Sequence, residues 1–147
     1  VMPGTINTPF FDKGRTKLGV KPVGIPPIYE PGTVADIILY AAENPARDLV
    51  SGGAAQAIIV NQRLSPRMVD AILATRAGFE PQKTDEPRSE NEPDNLYAPI
   101  REHNVAKNGF RAFSRSLYNW LQMHPTVRRG VTAGTALGLL AALRRRS

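Results

Sequence analysis

Val1-Met2-Pro3-Gly4-Thr5-Ile6-Asn7-Thr8 is the stretch on which the fold turns. An apolar pair, a Pro-Gly break and a hydroxyl four residues beyond the glycine describe a strand that ends in a tight turn. Such a turn brings backbone and a Thr side chain up against a neighbour. Pro-Gly turns are common on protein surfaces, so the stretch acquires meaning only from the order of the elements behind it. It also opens on Val in the middle of a strand pattern, and the expectation is that a further segment precedes it.

Working outward, residues 9–29 mix aromatic, basic, Gly and Pro residues without a sustained period, the composition of a lid or of a disordered connection. Glu30 then precedes Pro31, which suits a helix start with Pro at its first position and an acidic residue near the positive end of the dipole. Val34, Ala35, Ile38, Ala41 and Ala42 form the apolar stripe of a helix over 31–43, stopped by Asn44-Pro45. Leu49-Val50-Ser51 follows as a short strand ending at Gly52-Gly53. Residues 54–64 are apolar enough for either strand or helix, and periodicity does not separate the two. Ser65-Pro66 opens a helix predicted over 66–77, with Met68, Val69, Ile72 and Leu73 on one face and Gly78 as its stop.

The remainder changes character. With 147 residues and 41% apolar content the chain can build one modest core, yet thirteen prolines and twelve glycines predict that part of it is loop. No cysteine is present, which excludes disulfides, thiolate metal sites and a cysteine nucleophile. No basic start with an apolar core and a small-residue cleavage site is evident, so a cytoplasmic location is expected. Lys/Arg against Asp/Glu count eight to six over residues 1–79, two to six over 80–100 and nine to one over 101–147. The net charge of +6 is therefore the sum of +2, −4 and +8, and the basic excess belongs to the tail. Residues 80–95 hold no large apolar side chain and three prolines, the composition of a mobile acidic linker.

Phe110, Phe113, Leu117, Trp120 and Leu121 predict an amphipathic helix, interrupted at His124-Pro125. Residues 130–143 carry no charge and lie between Arg128-Arg129 and Arg144-Arg145-Arg146. Fourteen helical residues span roughly 21 Å, short of the ~30 Å hydrocarbon core of a bilayer. Gly130, Gly134 and Gly138 recur every fourth residue, a stripe that lets apolar helices approach closely, and the flanking arginines can snorkel to anionic head groups. The partner expected for residues 126–147 is thus an anionic membrane surface, met in the interface or as a tilted hairpin with the preceding helix. Packing on the domain or in a homo-oligomer is the competing expectation. Nucleic acid is not expected, because the aromatics fall on one helical face. His103 and His124 have no carboxylate cluster near them in sequence, and no metal site is expected.

Taken together, Pro3-Gly4 with Thr8, Tyr29-Glu30-Pro31 leading into Val34-Ala35-Asp36-Ile37-Ile38, and Leu49-Val50-Ser51-Gly52-Gly53 resemble the carboxyl-terminal part of a short-chain dehydrogenase/reductase. Leu64-Ser65-Pro66-Arg67-Met68-Val69-Asp70 and Asp94-Asn95-Leu96-Tyr97 resemble the extension of a bacterial subgroup of that family. The resemblance covers residues 1 to about 100, and its strength lies in order and spacing. It implies the C-terminal portion of a doubly wound, Rossmann-like parallel α/β sheet over 1–79, followed by the acidic linker at 80–100 and a helical tail over 101–147. Val1-Met2 would end the sixth strand, Leu49 to Ser51 would form the seventh, and 54–63 would be helix. By the same resemblance, Pro3, Gly4, Ile6 and Thr8 would face the nicotinamide of NAD or NADP. Residues 9–29 would form the lid over a small carbonyl or alcohol substrate, with Phe10, Phe11 and Ile28 as apolar walls.

The departures from that family bear on activity. Its phosphate-binding Gly-x-x-x-Gly-x-Gly turn is absent, and Tyr29, Tyr40, Tyr97 and Tyr118 are followed at the fourth position by Thr33, Asn44, Arg101 and Gln122, never by the Lys of Tyr-x-x-x-Lys. No catalytic residue is therefore assigned, and the chain alone is expected to be inactive. The alternative is a non-catalytic membrane-surface or subunit-interaction module on a dehydrogenase-derived scaffold.

Overall fold

The computed structural model describes residues 1–102 and 104–145, the side chains of Ala77 and Leu139 excepted. His103 and Arg146, named above, lie outside the described residues. Met2–Pro3 (β1) pairs in parallel with Val50–Ser51 (β3). The Met2 N–H donates to the Leu49 carbonyl at 2.7 Å and the Gly4 N–H to the Ser51 carbonyl at 2.9 Å. Between them in sequence lie the short helix Phe10–Lys13 (α1), the strand Val20–Pro22 (β2) and the helix Pro31–Glu43 (α2). The last agrees with the predicted bounds, since Pro31 sets the start and Asn44-Pro45 ends it. A parallel pair needs such a crossover element between its strands.

Gly53–Leu64 (α3) resolves the ambiguous apolar stretch as helix. Its cap, Gly52, has φ +102°, and a Cβ there would sit 2.8 Å from the Tyr29 ring, so both backbone and packing demand glycine. The helix predicted over 66–77 is two: Pro66–Leu73 (α4) and Arg76–Phe79 (α5). Thr75 divides them, its hydroxyl and N–H both bonding the Ile72 carbonyl, a local pairing that competes with helix continuation. Gly78 accordingly lies inside α5 rather than ending the helix.

The acidic stretch is also ordered where a mobile linker was expected. Glu80–Gln82 forms a 3₁₀ turn, and Lys83–Pro87 (β4) pairs antiparallel with β2. Backbone pairing and a Thr84 hydroxyl donating to the Lys21 carbonyl at 2.7 Å supply the order that side-chain burial does not. The fold is thus mixed α/β with one small parallel and one small antiparallel sheet. Among the described residues the parallel sheet is the β1–β3 pair, which does not by itself establish the doubly wound sheet implied by the resemblance.

The helix predicted from Phe110 begins only at Leu117–Met123 (α6), because Ser116 caps it by accepting the Asn119 N–H. Phe113 is extended instead and bridges Tyr29, which in turn bridges Ile6. The predicted apolar face is not the buried one: Phe113 and Leu117 are 61% and 74% exposed, whereas Asn119 and Gln122 are buried. Their amides complete the end of β3. Asn119 Oδ1 accepts the Gly52 N–H at 2.8 Å, and its Nδ2 donates to the Thr33 carbonyl and to Ser51 Oγ, both at 3.0 Å. Gln122 accepts from the Val50 N–H and donates to the Val50 carbonyl, the pattern of a neighbouring strand. The buried apolar core is small, Tyr29, Ile37, Leu49 and Val50. Beyond His124, Pro125–Arg144 (α7) is one continuous helix.

Candidate functional site

Beyond the carboxyl ends of β1 and β3 lies an open cavity of about 670 Å³. One wall is the turn after β1, contributing Pro3, Gly4, Thr5, Ile6 and Thr8. The opposite wall is the start of α3, with Ala54, Ala55, Ile58 and Ile59. Gly4 can turn away from the strand because it rests on α3: a Cβ there would lie 3.4 Å from that of Ala55. Phe10 and Phe11 of α1 close the cavity from the segment read as a lid, their rings edge to face with centroids 5.3 Å apart. The lid returns through Gly24, where a Cβ would be 2.2 Å from Thr5 Cγ2; only glycine admits so close a passage over the turn.

Six of the seven residues singled out from sequence therefore line one cavity: Pro3, Gly4, Ile6, Thr8, Phe10 and Phe11. Ile28 does not. It lines a separate depression with Pro26, Pro27 and Arg111 to Ser114, and its carbonyl accepts the Phe113 N–H at 2.8 Å. Sequence reading missed the α3 wall, because the lining residues Ala54, Ala55, Ile58 and Ile59 carry no polar side chain to mark it, and Gln82, which reaches the cavity from the acidic stretch. Between Ile6 and Thr8, Asn7 is buried and donates to the Asn108 and Phe110 carbonyls at 2.9 and 3.0 Å, which ties the turn to the tail segment.

Residues 11–15 are tied to Arg88, Asp94, Asn95 and Asn108. Arg88, almost fully buried, donates to the Phe11 carbonyl at 2.5 Å and to the Asp12 carbonyl at 2.9 Å. A guanidinium suits this task because its planar fork meets two acceptors at once. Lys21 pairs with Asp12 at 2.7 Å, and that hydrogen bond holds the ammonium above the ordinary lysine range. Asn108 also bonds the Asp12 carboxylate. Arg15 meets Asp94 at 2.5 Å, and the Asn95 N–H donates to the Lys13 carbonyl at 2.9 Å. The Arg15 contact keeps the Asp94 carboxyl below its usual range, aided by the Leu96 N–H.

Apolar Pro3, Ile6 and Ala55 border the space together with the hydroxyl-bearing Thr5 and Thr8 and with Gln82.

No protein-family model matches the chain, and no solved structure matches it. Among curated proteins it is similar to the uncharacterized oxidoreductase YxnA of Bacillus subtilis (strain 168), 33% identical over 136 residues. The alignment covers 91% of this chain and 38% of the relative, so the chain spans well under half of that protein's length. The likeness supports an oxidoreductase family.

Proposed function

We propose that the chain forms the nicotinamide-facing wall and substrate lid of an NAD(P)-dependent oxidoreductase of the short-chain type, acting between a carbonyl and an alcohol. The observation that carries this reading is the convergence of the post-β1 turn, Thr8 and the two lid phenylalanines on one cavity beyond the ends of a parallel strand pair. Ligands of open α/β sheets bind in that position. The likeness to an oxidoreductase supports it independently. On this reading β1 and β3 are the last two strands of a larger doubly wound sheet.

A bound nicotinamide would supply the hydride. This chain's own part would be to hold and shield it: the Thr8 hydroxyl would hydrogen-bond the carboxamide, Pro3 and Ile6 would offer apolar contact to the ring, and Phe10 and Phe11 would border the substrate side. The chain supplies no Tyr-x-x-x-Lys pair to move the accompanying proton, so the purified polypeptide is expected to turn over no carbonyl substrate.

Titrating NADH and NADPH into the isotopically labelled chain tests the reading by NMR. Amide shifts should concentrate at Gly4 to Thr8 and at Ala55, and Thr8→Val should weaken the response roughly fivefold, about the worth of one hydrogen bond. Shifts scattered over the surface, or none at millimolar cofactor, would overturn it.

A further inference from the structure

We propose that α7 is a membrane-surface anchor, lying in the plane of an anionic bilayer interface with the rest of the chain above it. The inference is independent of the cofactor reading, because it rests on the opposite end of the molecule.

Three observations lead to it. Every described side chain from Thr126 to Arg145 is exposed, including Val127, Val131, Leu137, Leu140 and Leu143. An exposed helical run without a charge is ordinarily covered on at least one side, and Gly130 to Leu143 contains no charged residue. Second, no helix of the described residues is long and apolar enough to cross a membrane, yet Arg128-Arg129 and Arg144-Arg145 bracket the apolar run at both ends. Arg144 lies sixteen positions beyond Arg128, roughly 24 Å along the helix. In a helix lying flat, both pairs reach head groups while Leu137, Leu140 and Leu143, which share one side, enter the acyl boundary. Third, the charge is of one sign: no Asp or Glu follows Glu102 in the chain.

That last point decides between lipid and a second copy of the chain. Pairing two α7 helices, parallel or antiparallel, sets arginine pairs against arginine pairs at both ends with no carboxylate to offset them. An anionic lipid surface meets the same charges with the complementary sign. The root of the helix suits the interface too. Trp120 is 44% exposed and stacks on His124 with ring centroids 4.5 Å apart, immediately before Pro125 turns the chain into α7. Tryptophan favours the boundary between head groups and acyl chains.

Co-sedimentation of the full 147-residue chain with vesicles is the test, using phosphatidylcholine alone and phosphatidylcholine mixed with phosphatidylglycerol. Partition into the anionic vesicles should exceed that into neutral ones by at least about tenfold and should fall as salt is raised. R128Q/R129Q should reduce it by about tenfold or more, and L137D/L140D should abolish it. All four residues are exposed, so the fold survives their replacement, which circular dichroism verifies. Equal pelleting with both vesicles, or unchanged pelleting of L137D/L140D, would overturn the proposal. So would lipid-independent self-association that L137D/L140D removes, which would assign the helix to a second copy.

Discussion

Two parts of the carboxyl-terminal third meet the rest of the molecule in opposite ways. Residues 83–123 are stitched to the front by long-range polar contacts: Arg88 to the lid, Asn108 to Asp12, and Asn119 and Gln122 to the end of β3. Residues 125–144, which are far more apolar, stand exposed. Hydrophobicity alone would have ranked them the other way. With few apolar side chains fully buried, order follows from the satisfaction of backbone groups, and an amide or guanidinium in the right place outweighs a leucine with nothing to pack against.

The sharpest way to break this contrast is Asn119→Ala. It strands the Gly52 N–H at the buried end of β3 and leaves the Thr33 carbonyl with only the Ser51 hydroxyl as a side-chain donor, and urea unfolding should show a loss of about 3 kcal/mol. A loss within experimental error would mean that the amide contacts are incidental. Arg88→Ala comes next, at about 2 kcal/mol, because a nearly buried guanidinium is removed from two carbonyls. Its effect should be local: amide exchange at Lys13 and Gly14 should accelerate well beyond that at Val50, and uniform acceleration would argue against a clamp on the lid. In α7 the sign reverses. Gly134 has open space around its missing Cβ, so Gly134→Ala should strengthen the helix by about 0.5–1 kcal/mol, visible as increased ellipticity; a decrease would reveal a close partner at that face.

The smallest effect is at the lid's rim. Asp94 has a folded-state pKa below its unfolded value, so its contribution is present above the ordinary carboxylate value of about 3.9 and disappears as pH falls through the folded value. Asp94→Asn should therefore differ slightly from the parent in stability at neutral pH, and the difference should close under acid conditions. A gap that persists in acid would assign the effect to something other than the Arg15 pair.

Much of the cavity could be read in advance. Pro3-Gly4 announces the turn that lines it, because backbone restriction is local information, whereas Phe10 and Phe11 were singled out through the family resemblance and line the same cavity. Ile28 was misplaced because an isoleucine in an aperiodic segment says nothing about which side of the segment faces inward. Gln82 and Arg88 were invisible for a different reason. They act on residues about sixty to eighty positions away, and an acidic, proline-rich stretch read by composition looks unable to order itself.

By itself the amino-acid sequence determined α2, whose stripe, leading Pro31 and closing Asn44-Pro45 are all local signals, and the turn from Met2 to Thr8. It also determined the one-signed charge and unbroken apolar run of α7. Only the tertiary structure decided that β4 pairs with the lid, that α6 buries its amides rather than its aromatics, and that α7 is left exposed. Those outcomes depend on which distant backbone groups need partners, and no periodicity along the chain records where a distant carbonyl will lie.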